Sequence, residues 1–89
     1  MEILFFTRHY CYECQHTKKQ LEELKSKYKI TVKEIDADFD PLAQEYNINK
    51  VPCTLITKSG FELYRFNGLA PIQAIERKVS DNAPANCYN

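Results

Sequence analysis

Four bulky apolar residues stand in a row near the start of the chain, Ile3-Leu4-Phe5-Phe6. A run this short is the length of a strand, and a strand apolar at every position suits the centre of a sheet covered on both faces. The rest of the chain must therefore supply helices for both sides. With 89 residues it can build one domain around one modest core.

The first cover follows directly. From Glu13 to Tyr28 the pattern is helical: Leu21, Leu24 and Tyr28 recur at intervals of three and four, with Thr17 one turn earlier. Lys18, Lys19, Gln20, Glu22, Glu23 and Lys25 cover the other face, and Glu23–Lys27 is spaced as a favourable pair. Ile30 to Ile35 is rich in β-formers and partly alternating, as an edge strand would be. Asp40 is placed to cap a short helix that Pro41 begins, with Leu42, Ala43 and Tyr46 turned inward. Cys53 to Thr57 reads as a strand, Ser59-Gly60 as a turn, and Phe61 to Phe66 as a second strand in an antiparallel hairpin. Pro71 opens a last helix with Ile72, Ile75 and Val79 on one face. The pattern predicts a domain over residues 1–80 and a loose polar tail over 81–89.

The order is thus β-α-β-α-β-β-α. The first strand–helix–strand unit crosses over right-handed and pairs in parallel. The hairpin adds antiparallel on the other side of the first strand. The expected fold class is α/β, a four-stranded mixed sheet flanked by helices.

Charge narrows the function. Twelve Lys and Arg balance twelve Asp and Glu. That argues against a nucleic-acid surface and against a basic membrane-surface helix. No apolar run approaches a bilayer span, and no signal-type N-terminus precedes the first strand. The expectation is a cytoplasmic monomer in a reducing compartment, where a Cys-x-x-Cys is catalytic or metal-binding rather than structural.

Cys11-Tyr12-Glu13-Cys14 lies where the buried strand ends and the long helix begins. A helix N-terminus carries unsatisfied N–H groups and about half a positive charge. That environment favours a thiolate, the nucleophile of disulfide exchange. Two intervening residues bring both sulfurs within one turn, close enough to bond. Cys11, at the exposed end, is the expected attacking thiol, and Cys14 resolves the mixed disulfide. Zinc sites use the same spacing, so a metal or iron–sulfur module built from Cys11, Cys14, Cys53 and His9 or His16 stays open here. The two histidines could equally support a thiolate or simply lie at the surface.

The chain resembles the thioredoxin superfamily over nearly its whole length. The resemblance is carried by Cys11-Tyr12-Glu13-Cys14 after a buried strand, Ile35-Asp36-Ala37-Asp38, Pro41 to Ile48, Val51-Pro52 entering a strand, Gly60, and Phe66-Asn67-Gly68. The steps of eight from Pro52 to Gly60 and from Gly60 to Gly68 resemble the thioredoxin hairpin. The lack of an extra N-terminal strand and helix resembles the shorter glutaredoxins. The resemblance implies a protein disulfide oxidoreductase that binds no cofactor and cycles a redox-active Cys11–Cys14 disulfide. It implies that Pro52 is a cis-proline facing the sulfurs, leaving Val51 backbone groups to pair with a substrate strand. Tyr10 and Tyr12 would form an apolar rim for a partner. Implied clients are disulfide-bearing proteins such as ribonucleotide reductase or peroxide-reducing enzymes, with a thioredoxin reductase or glutathione as electron donor.

Four departures bear on that reading. Tyr12-Glu13 replaces the usual Gly-Pro or Pro-Tyr, and the Glu13 carboxylate opposes a nearby thiolate while suiting the helix dipole. Phe5 occupies the position where thioredoxins bury an aspartate. Arg8 matches the basic residue by which glutaredoxins hold a glutathione carboxylate, but Asn67-Gly68-Leu69-Ala70 lacks their second glycine and acid. Cys53, directly after Pro52, would lie near the redox pair and exchange with it, or fill a strand position as a small hydrophobe. Cys87 reads as a free thiol without a role.

Overall fold

The computed structural model of the protein describes residues 1–82. The elements are β1 (Glu2–Thr7), α1 (Tyr12–Tyr28), β2 (Thr31–Asp36), α2 (Leu42–Glu45), β3 (Cys53–Lys58), β4 (Phe61–Asn67) and α3 (Ile72–Asn82). The sheet order is β2-β1-β3-β4. β1 runs parallel to β2, and β3 runs antiparallel to both β1 and β4.

The apolar run does what its composition demands. Ile3 and Phe5 point into one core with Leu21, Leu24 and Tyr28 of α1 and Ile75 and Val79 of α3. Leu4 and Phe6 point into the other, against Ala43 of α2 and with Ile35, Cys53 and Leu55 of the neighbouring strands. Alternation along a strand sends successive side chains to opposite faces, so β1 anchors both layers. α1 and α3 cover one face and α2 the other.

Local chemistry sets the boundaries. α1 begins one residue earlier than its apolar pattern, because Cys11 serves as the N-cap. It ends at Lys29 in the left-handed conformation, without a glycine. Its Lys27 reaches across to Glu76 of α3 rather than pairing with Glu23, and the Tyr28 hydroxyl donates to the same carboxylate at 2.9 Å. Asp40 Oδ1 accepts the Leu42 N–H at 3.0 Å, so the acid starts α2 with Pro41 at its edge. Ser59 and Gly60 both have positive φ, the geometry of a tight two-residue hairpin turn. α3 extends two residues into the stretch expected as tail, to Asn82, whose side chain donates to the Lys78 carbonyl. The remainder of that stretch, with Cys87, lies outside the described residues. Among the described residues no helix is long and apolar enough to cross a membrane.

Candidate redox site

Cys11 and Cys14 are joined by a disulfide, with their Cα atoms 5.2 Å apart. Cys11 leaves β1's connecting turn with extended backbone and caps α1. Its sulfur accepts the Cys14 N–H at 3.2 Å. Cysteine is not among the usual capping residues, yet here its sulfur takes the place of a capping oxygen. The same contact and the helix dipole would hold a thiolate at Cys11 once the disulfide is opened. The two sulfurs differ in access: Cys11 is half-buried, whereas Cys14 is 2 % exposed and belongs to the α1–α3 core. The pair therefore has an outer, accessible sulfur and an inner, buried one.

Val51 and Pro52 stand at the entrance of β3. The Val51–Pro52 peptide bond is cis. Val51 is partly buried against the same core as Cys11 and Cys14. The Pro52 carbonyl accepts the Gly68 N–H at 2.7 Å, which ties the β4–α3 loop to this entrance. Leu69, which follows Gly68, is 53 % exposed. Tyr10 and Tyr12 flank Cys11 and are 105 % and 83 % exposed. Glu13 is exposed in the first turn of α1.

Arg8 is turned to Asp38, with Nε 3.1 Å from Oδ1. Phe5 is fully buried beside Cys14 in the α1–α3 core, so no carboxylate stands behind that sulfur on β1. His9 faces Asp36, with Nε2 3.7 Å from Oδ2. Sequence reasoning left this pair unrecognised, because the two residues are far apart in the chain and only the β1–β2 pairing brings them together. His16 is exposed on α1.

Cys53 is not an exchange partner for the pair. It is 0 % exposed and sits in the α2-side core, on the other face of the sheet from Cys14. Burial pushes its thiol up to about 11. Its S–H donates to Asn67 Oδ1 at 3.5 Å. The reading that survives is the small hydrophobe in a strand. For the same reason Cys53 cannot complete a metal set with Cys11 and Cys14. Among the described residues no group of three or more His, Cys, Asp or Glu is gathered for a metal.

Against known proteins, the thioredoxin family matches residues 2–81. The fold is similar to that of a thioredoxin mutant from Halobacterium salinarum, with TM-score 0.86, 23 % identity and coverage of 93 % of this chain and 74 % of that one. It is similar to thioredoxin 1 of Thermosipho africanus, with TM-score 0.83, 21 % identity and coverage of 91 % and 92 %. Mitochondrial thioredoxin 3 of Saccharomyces cerevisiae gives TM-score 0.80 and 22 % identity, covering 90 % and 76 %. At these identities the neighbours establish the fold, while the family match extends through both cysteines. The chain belongs to the thioredoxin family, and that membership together with two cysteines at bonding distance supports a thiol–disulfide oxidoreductase.

Proposed function

We propose that this protein reduces disulfides in other proteins, with Cys11 as the attacking thiolate and Cys14 as the resolving thiol. The observation that carries the reading is the asymmetry of the pair: an accessible sulfur capping a helix N-terminus, bonded to a buried one. In the forward cycle Cys11 attacks a client disulfide and expels one client thiolate. Cys14 then attacks Cys11, closing the enzyme disulfide and releasing the second client thiol. Two electrons and two protons pass from enzyme to client.

The client segment would lie along Val51, pairing with its backbone, while Tyr10 and Tyr12 offer apolar contact. Such recognition makes little demand on client sequence, in keeping with clients such as ribonucleotide reductase or peroxide-reducing enzymes. The electron donor that fits is a thioredoxin reductase. Arg8 is engaged with Asp38, and the loop after β4 offers neither a second glycine nor an acid for glutathione. The setting proposed is a reducing, cytoplasmic one.

The test is a redox equilibrium of the purified protein against graded thiol–disulfide buffers, read by alkylation and mass. A single two-electron transition at Cys11 and Cys14, between about −200 and −270 mV, is expected for a reductant of this kind. Cys11→Ser should abolish reduction of a protein disulfide, and Cys14→Ser should accumulate mixed disulfides at Cys11. Full activity in Cys11→Ser would remove the assignment.

A further inference from the structure

Resolution of the mixed disulfide requires Cys14 to lose a proton before its sulfur attacks Cys11. Cys14 is buried, and its neighbour on β1 is Phe5, which accepts no proton. The acceptor must come from the open side. There a cleft of about 390 Å³ runs beside both sulfurs, walled by the turn after β1, the first turns of α1 and the edge of β2.

Two cations that line that cleft are already paired with carboxylates. Lys18 of α1 pairs with Glu34 of β2 at 3.4 Å, and Arg8 pairs with Asp38 at 3.1 Å. His9 and Asp36 also line it, with His9 Nε2 3.7 Å from Asp36 Oδ2. Asp36 is itself fixed, since its Oδ1 accepts the Asp38 N–H at 2.9 Å. The turn carrying His9 is set by Tyr10 in the left-handed region, φ 59°. The pair is an imidazole within charge-pair distance of an anchored carboxylate, and both line the same cleft as the thiols. Carboxylates are poor acceptors for a thiol proton, because their ordinary acidity differs by roughly four units, whereas imidazole differs by roughly two.

We propose that His9, oriented by Asp36, carries the proton of Cys14 during resolution. The inference rests on the exchange function proposed above. The Cys14 proton passes through cleft water to the His9 nitrogen that does not face Asp36. The Cys14 sulfur bonds to Cys11, the Cys11–client bond breaks, and its electron pair leaves on the client sulfur. His9 then returns the proton to that thiolate or to water. The client disulfide is the only oxidant. Imidazole can both take and return a proton, which suits a carrier.

The experiment is stopped-flow mixing of the reduced Cys87→Ser protein with a substoichiometric nitrothiobenzoate disulfide. One coloured thiol is released by Cys11 attack and a second by Cys14 resolution. In His9→Gln the second phase should slow by on the order of a hundredfold near neutrality with the first phase unchanged, and its pH profile should change form. In Asp36→Asn the second phase should slow several-fold with the form of the parent's pH profile kept, as a positioning role requires. Added imidazole should restore the rate of His9→Ala. A His9→Gln profile superimposable on the parent, or no imidazole rescue, would overturn the inference while leaving the exchange function intact. Failure to release the second thiol at all would instead overturn the exchange function.

Discussion

Cys53→Ala should be less stable than the parent at neutral pH and no less stable in alkali. At neutral pH the variant loses a buried sulfur and leaves a small void, a cost of about 1 kcal/mol. The parent carries a different cost as pH rises. Burial lifts the Cys53 thiol from 9.0 to about 11. A thiol raised in the folded state favours folding fully below its unfolded value, and that advantage is lost as pH climbs through the folded value. The two-unit difference corresponds to roughly 2–3 kcal/mol once the thiolate is complete, and about half of it is gone near pH 10. The difference between parent and variant should therefore shrink from about 1 kcal/mol in favour of the parent to about zero or slightly negative near pH 10. Urea unfolding of both proteins with the Cys11–Cys14 disulfide intact, from pH 7 to pH 10, measures it as a difference. Other alkaline titrations, Tyr28 among them, cancel between the two. A difference that stays constant with pH would refute the argument, since it would mean Cys53 meets solvent before the fold opens.

Three further outcomes follow from the same structure. In the reduced native protein, iodoacetamide at neutral pH should label Cys11 first and leave Cys53 unlabelled until denaturant is added; native labelling of Cys53 at the rate of Cys11 would contradict its burial. Hydrogen bonds from Lys27 and Tyr28 hold the Glu76 carboxyl below its usual range, so it contributes stability that is present above the ordinary carboxylate range and lost as pH falls. Glu76→Gln should flatten the acid limb of the stability profile, and an unchanged limb would show that the α1–α3 contact contributes nothing through charge. Gly68→Ala should cost about 1 kcal/mol in denaturant unfolding, because φ is +80° there and the new Cβ meets only the mobile end of Lys50, so the backbone conformation sets the penalty.

The parts of the fold legible in the sequence are those with a period. Ile3-Leu4-Phe5-Phe6 declared a doubly covered strand, and Leu21, Leu24 and Tyr28 declared the face of α1 that covers it. The hairpin was legible because Ser59-Gly60 is turn chemistry. The redox pair was legible because a buried strand, a short turn, Cys-x-x-Cys and a helix follow one another in the sequence. What stayed hidden depends on residues far apart in the chain. Lys27 had an apparent partner in Glu23 one turn away but binds Glu76, because the docking of α3 is set by apolar packing that pairwise charge spacing does not report. The end of α1 carries no glycine, so its stop at Lys29 is imposed by the entry into β2 rather than announced. His9 and Asp36 are joined only through the parallel pairing that sets Thr7 against Asp36.

The same periodicity explains how a third thiol can sit next in sequence to the site without joining its chemistry. Cys53 follows Pro52 directly, and proximity along the chain suggested exchange with Cys11. Strand period is two, so face is decided by register and not by distance along the chain. Cys53 pairs with Phe6 and Thr54 with Phe5. Phe6 faces the α2 layer and Phe5 faces α1, so the sheet itself separates Cys53 from Cys14. A one-residue slip of β3 would turn the thiol toward the redox pair and would expel Leu55 from its core at the same time. The apolar alternation that fixes the register thus also insulates the active disulfide, and insulation costs the protein nothing beyond what the fold already requires.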